Sequence, residues 1–166
     1  MKRTKSSAKT GPLRLTHQDL ATVDIQRWWI RCSKCSQLAY MTPNWAKMEG
    51  ECKCIACGGV YKLQFDPEYK RRFSSLPLWL KSDFRGNIFW ALNGEHLQLL
   101  ERIIRSTLRE RPVVCGRRLP ITTRMPFNLP SWILSAKNRP DLLKVIARLK
   151  STIPAEIAAQ VSATPH

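Results

Sequence analysis

Four of the six cysteines stand in two pairs, Cys32-Ser33-Lys34-Cys35 and Cys54-Ile55-Ala56-Cys57, with 18 residues between Cys35 and Cys54. This spacing falls within C-x2-C-x15–20-C-x2-C, a pattern that reads as a zinc site. In each C-x-x-C the chain turns so that both sulfurs aim at one ion while backbone N–H groups point at the sulfurs. Two such bends complete a tetrahedron with Zn–S distances of about 2.3 Å. Gly58-Gly59, directly after Cys57, suits the tight positive-φ turn the second bend needs. Cys32, Cys35, Cys54 and Cys57 are therefore the expected ligands of one zinc ion. Four thiolates leave no open position, so the site is expected to be structural rather than catalytic. The same ligand set also suits an iron–sulfur cluster, and the plainest alternative is four buried free thiols. A thioredoxin-like redox pair would be a single C-x-x-C beside a βαβ pattern, and neither condition holds here.

Two cysteines are left over. Cys52 is two residues before Cys54, so strand alternation puts both on one face and Cys52 near the ion. Cys54 is the preferred ligand because it forms the pair that leads into Gly58-Gly59. Cys115 is distant and reads as a free thiol, and nothing local makes it a nucleophile with His96 as its base. The enzyme classes find little support. There are 3 histidines and 12 acidic residues, with no H-E-x-x-H, G-x-S-x-G or P-loop pattern. No carboxylate cluster offers a magnesium site. His96, next to Glu95 at a helix start, reads as a surface or capping histidine.

The charge suggests a partner. Lys and Arg number 28 against 12 Asp and Glu, a formal net charge of +16. The cysteine-rich stretch 32–69 is balanced, while 1–31 and 112–139 each carry +5 and 70–93 carries +4. A field of this sign attracts polyanions, and Lys or Arg contacts to phosphates release counterions. The candidate contacts are Lys70, Arg71, Arg72, Arg117, Arg118, Arg124, Lys137 and Arg139, with the arm of Lys2, Arg3, Lys5 and Lys9. Aromatic side chains beside such residues can stack on bases. Of the six tryptophans, Trp45 is the best candidate, because it sits in a polar turn between the cysteine pairs with little expected core around it. A solvated basic surface is the ordinary alternative.

Positioning these groups requires strands first and helices later. Residues 1–14 read as a flexible basic arm, and Thr16-x-x-Asp19 before Leu20 suggests a short helix. Trp28–Arg31 and Gln37–Met41 read as strands, the second closed by Thr42-Pro43-Asn44, and Val60–Phe65 alternates with period two. Trp28 and Trp29 must point to opposite faces, one into a core and the other toward a partner or the helical part. Residues 66–93 form an aromatic bridge, and the Arg85-Gly86-Asn87 turn divides it as in a hairpin. Asn93 is the expected N-cap of a helix over roughly 94–110, with Leu97, Leu100, Ile103, Ile104 and Leu108 on one face. Residues 112–130 read as irregular. A last helix is expected from Asn138, with Pro140 in its first turn and Leu142, Leu143, Val145, Ile146 and Leu149 as its stripe. Pro154 ends it, and 155–166 reads as a tail.

The paired cysteines with their flanking strands resemble the zinc-ribbon superfamily over residues 28–65. Members occur in transcription factors, polymerase subunits, primases, ribosomal and transposition proteins, so the resemblance implies a nucleic-acid or assembly context. The first pair departs from the usual pattern in having Ser36 where glycine often follows the second cysteine. A weaker resemblance covers 76–139. Leu76-Pro77-Leu78-Trp79-Leu80, Phe89-Trp90-Ala91-Leu92-Asn93 and Leu129-Pro130-Ser131-Trp132 are similar to segments of small bacterial zinc-ribbon proteins of unassigned role.

The sequence thus predicts an α+β protein in five stretches: a basic arm (1–27), a β-rich zinc ribbon (28–65), the bridge (66–93), a helical region (94–154) and the tail (155–166). The expected function is non-catalytic zinc-dependent binding of nucleic acid through the phosphate backbone, as a regulator or accessory subunit. The alternative is an adaptor that contacts other proteins of a nucleic-acid-processing complex. No small-molecule substrate is evident. No apolar run approaches the ~20 residues of a membrane span, and no h-region follows the basic N-terminus, so a cytoplasmic location is expected.

Overall fold

The computed structural model describes residues 26–65, 75–106 and 129–162. The basic arm and the Thr16–Asp19 helix lie outside these residues. So do Lys70, Arg71, Arg72, Cys115, Arg117, Arg118 and Arg124, whereas the helix expected over 94–110 ends earlier, at Arg105, where Ser106 turns extended.

Four strands form one antiparallel sheet in chain order: β1 (Trp28–Arg31), β2 (Leu38–Asn44), β3 (Glu49–Cys54) and β4 (Val60–Gln64). β2 runs further than expected. Pro43 pairs with Gly50 instead of ending the strand, and Gly50 is where a side chain would collide with Met41 across the sheet, at 2.6 Å from its Cγ and Sδ. The outer side of β1 is covered by the bridge, where Arg31 donates to the Pro77 carbonyl (2.7 Å) and Trp79 N–H to that of Trp29 (2.9 Å). A separate hairpin, β5 (Leu80–Phe84) and β6 (Asn87–Ala91), turns at Arg85 and Gly86, whose φ values are 48° and 76°. Two consecutive positive-φ residues match the right-handed twist of the flanking strands.

Helices follow: α1 (Gly94–Arg105), the single turn α2 (Ser131–Leu134), α3 (Arg139–Ser151) and α4 (Ala155–Ser162). Asn93 caps α1 as expected, its side-chain oxygen accepting from His96 N–H at 2.9 Å. Asn138 precedes α3 but does not cap it. Its amide donates to the Trp132 carbonyl (2.9 Å) and its oxygen accepts from Arg85 (3.0 Å), so it fastens the hairpin turn to the helix start. The tail expected over 155–166 is corrected by α4. Pro154 opens this helix, its carbonyl accepting from Ile157 and Ala158 N–H, and Ile157 is buried.

The adjacent tryptophans of β1 feed two cores. Trp28 joins Ile30, Met41, Cys52, Phe65, Leu76 and Leu78 on one face of the sheet. Trp29, on the other face, joins Leu80, Phe89, Leu97, Leu100, Leu142 and Ile146. At 2% and 3% exposure, neither remains for a partner. His96 is likewise no surface residue. It is buried, its Nδ1 accepting from Leu92 N–H at 3.1 Å. Among the described residues no helix is long and apolar enough to cross a membrane.

Candidate metal centre

The two cysteine pairs lie at the same end of the sheet and are built alike. Cys32 closes β1 and its N–H donates to the Gln37 carbonyl (2.8 Å); Cys54 closes β3 and its N–H donates to that of Gly59 (2.9 Å). Each bond spans five residues and folds the intervening chain into a tight bend. In the first bend Lys34 N–H points at Cys32 Sγ (3.4 Å), and in the second Cys57 N–H points at Cys54 Sγ (3.5 Å). The residue after the second cysteine is left-handed in both, with φ of 59° at Ser36 and 65° at Gly58. Serine thus adopts the conformation for which the second bend uses glycine, at a cost of about 1–2 kcal/mol. Two further contacts hold the bends to the sheet. Ile55 N–H donates to the Leu38 carbonyl (3.2 Å), and Ser33 N–H donates to the Tyr61 hydroxyl (3.2 Å). Tyr61 was not anticipated as a site residue. Its alternation onto the Cys52 face of the sheet was the available signal.

The four sulfurs all lie within 4.8 Å of one another. Two pairs run between the bends: Cys35 to Cys54 at 3.5 Å and Cys32 to Cys57 at 3.9 Å. Sulfurs placed 2.3 Å from a central ion stand about 3.8 Å apart in a tetrahedron, so the set fits a zinc-sized cation. Cys32 and Cys54 are buried, Cys35 half-buried and Cys57 exposed. Cys52 is excluded from the set. It is buried in the Trp28 core with its thiol directed at the Gly50 carbonyl (3.5 Å), and burial pushes it up to about 11. Its side chain shares the face of Cys54 but faces the core one step further from the bend.

The thiols do not ionise alike. Burial raises Cys32, but N–H groups of Cys35 and Lys34 and the thiols of Cys54 and Cys35 outweigh it and hold Cys32 at about 6. The Gln37 N–H lowers Cys35, yet burial and the Cys54, Cys57 and Cys32 thiols push it up to about 12. A divalent cation among them supplies the charge that lets all four be thiolates.

Of the proposed nucleic-acid contacts, Lys137 is exposed in the 3-10 turn before α3. Arg139 is half-buried, donating to the Ser106 carbonyl at 3.0 Å. Trp45 has more core around it than its turn implied. It meets Trp28 (5.5 Å) and Phe65 (5.7 Å) edge to face, half-buried at the end of the sheet opposite the cysteines. A groove of about 550 Å³ lies beside it, lined by residues of both charge signs including Lys47, Glu49, Glu51 and Lys62. The structure brings the four cysteines together and leaves Trp45, Lys137 and Arg139 apart from them. No protein-family model, curated protein or solved structure matches the chain.

Proposed function

We propose that residues 28–65 are a zinc ribbon and that the chain is a non-catalytic, zinc-organised protein that binds nucleic acid through its phosphates. The observation that carries the first half is the cluster of four sulfurs within 4.8 Å, which fills a tetrahedral sphere and leaves no position for substrate. The second half rests on the net charge of +16, which favours a polyanionic partner. Elemental analysis of the purified chain tests the ribbon: close to one zinc per chain is expected, lost in Cys32→Ala. Retention of arbitrary duplex or single-stranded nucleic acid across a salt series tests the partner. Six to ten phosphate contacts would weaken binding roughly 10³–10⁵-fold between 50 and 200 mM salt. No retention at low salt overturns this half of the reading.

Adaptor function is the second reading, and one observation favours it. Ile55 and Val60, exposed by 48% and 58%, are the largest uncovered apolar side chains near the cysteine bends. A partner that stays bound after nuclease treatment, and is lost on Ile55→Asp with Val60→Asp, separates this reading from the first.

A further inference from the structure

The four ligands differ in access. Cys32 and Cys54 are buried and Cys35 is half-buried, while Cys57 is exposed. Cys57 also has a cationic neighbour. Its sulfur and the Lys34 ammonium both lie within 4 Å of the point a Cβ on Gly59 would occupy, at 3.3 and 3.7 Å. A small oxidant arriving from solvent therefore meets Cys57 first, with the Lys34 ammonium in the neighbourhood to stabilise the hydroxide that is expelled. The Cys32 sulfur lies 3.9 Å from that of Cys57 on the other bend, and the remaining two, Cys35 and Cys54, are 3.5 Å apart.

From this arrangement we propose that Cys57 is a peroxide-addressed modification site, through which oxidation ejects the metal and cross-links the two bends by disulfides in its place. The proposal rests on the zinc-ribbon reading. In the first step the Cys57 thiolate attacks one oxygen of hydrogen peroxide. The O–O bond breaks, Cys57 becomes a sulfenic acid, and one hydroxide leaves. In the second step the Cys32 thiolate attacks the Cys57 sulfur. The S–S bond forms, the S–O bond breaks, and a second hydroxide leaves. Two electrons pass from the sulfur pair to the peroxide, and solvent protons convert both hydroxides to water. The cation, left with two ligands, dissociates. A second peroxide closes Cys35 to Cys54 in the same way. Because each bond joins one bend to the other, the oxidised chain keeps the link that the metal supplied. Disulfides inside the pairs, Cys32 to Cys35 or Cys54 to Cys57, would not do so.

The test uses the zinc-loaded full chain, with metal content measured first. A chain without zinc refutes the ribbon reading, whereas the steps below test this inference. Hydrogen peroxide is added and released zinc is followed with a chromogenic chelator, while disulfides are mapped by mass spectrometry under non-reducing conditions. The expected result is release of about one zinc per chain, with Cys32–Cys57 appearing first, Cys35–Cys54 second, and reversal by dithiothreitol plus zinc. In Lys34→Gln, which keeps all four ligands, release is expected to slow several-fold at unchanged zinc content. Four outcomes overturn the proposal: zinc retained under excess peroxide, bonds formed mainly within the pairs, first oxidation at Cys52 or Cys115, or a Lys34→Gln rate equal to that of the unaltered chain.

Discussion

Trp28 and Trp29 are neighbours in the chain, yet they belong to two cores built on different principles. The Trp28 core lies under a four-stranded sheet and includes Cys32, Cys52 and Cys54 as fully buried members. Thiols close one end of this core, placed where they could hold a metal ion. The Trp29 core is made of Leu80, Phe89, Leu97, Leu100, Leu142 and Ile146, with two helices on a hairpin. A sheet of some 40 residues cannot bury enough apolar area to be stable without a staple. A hairpin packed on helices gains its stability from side-chain burial alone. One strand, β1, serves both, so the cores are mechanically joined while depending on different forces.

Metal removal separates them most sharply. Structural zinc contributes about 10–16 kcal/mol of binding free energy in finger-type peptides, and that energy is folding energy. Chelation, or Cys54→Ala, is expected to abolish amide-exchange protection in β2, β3 and β4 while α1 and α3 retain theirs. Equal loss in both regions would mean that the helical core has no independent stability. The converse substitution is Leu142→Ala in α3, where the side chain is fully buried. It should lower stability by about 2–5 kcal/mol through lost burial and the cavity it leaves, with zinc stoichiometry unchanged.

The two regions also differed in how far they could be read from sequence. The four-cysteine cluster was legible because its chemistry fixes residue type and spacing together, whereas Tyr61 beside it was not. Cys32, Cys35, Cys54 and Cys57 converge as their pattern requires. α1 was legible from the Asn93 cap and the recurrence of Leu97, Leu100 and Ile104. What escaped was decided by tertiary contact. Pro43 marks a turn by propensity, but Gly50 opposite it leaves room for the sheet to continue. Asn138 is a good cap by type, but Arg85, 53 residues away, takes its oxygen. The α4 helix has Pro154 and Glu156 at its start, but a proline there marks the end of one helix as readily as the start of the next. Trp45 packs on Trp28 and Phe65, both remote in sequence.

His96, in the first turn of α1 against Leu92 and Trp90, provides a third prediction. Its Nδ1 accepts from Leu92 N–H, so the neutral ring carries its proton on Nε2, which is buried with no hydrogen-bond partner. Burial lowers it from the ordinary histidine value to about 4. The unfolded chain takes up a proton below about pH 6.5, the folded chain only below about 4. Stability is therefore full above pH 6.5 and declines as pH falls toward 4, by up to about 3 kcal/mol at 1.4 kcal/mol per unit. The cysteine cluster also takes up protons on acidification, so the diagnostic quantity is the difference between the parent and His96→Gln. The variant should lose less stability between pH 6.5 and 4, with the difference seen in α1 amide exchange. Identical pH profiles would show that His96 does not carry the dependence.

The smallest effect compares the two cysteine bends with each other. Ser36 and Gly58 occupy equivalent positions, both left-handed, but only one is glycine. A Cβ at Gly58 would meet nothing within 4 Å, so Gly58→Ala costs conformational strain and no collision. An L-residue in this region costs about 1–2 kcal/mol. Gly58→Ala should therefore lower the stability of the zinc-loaded chain by that amount, and Ser36→Gly should raise it by somewhat less, because glycine also widens the unfolded ensemble. The double variant, Ser36→Gly with Gly58→Ala, should return close to the parent. The two bends also meet through the sheet, where Ile55 N–H donates to the Leu38 carbonyl, so a departure from additivity beyond about 0.5 kcal/mol would measure the coupling that sheet and metal carry together. If Ser36→Gly proved neutral, the serine would have to gain from its side chain what it loses in its backbone, and the likeness of the two bends would stop at their dihedral angles.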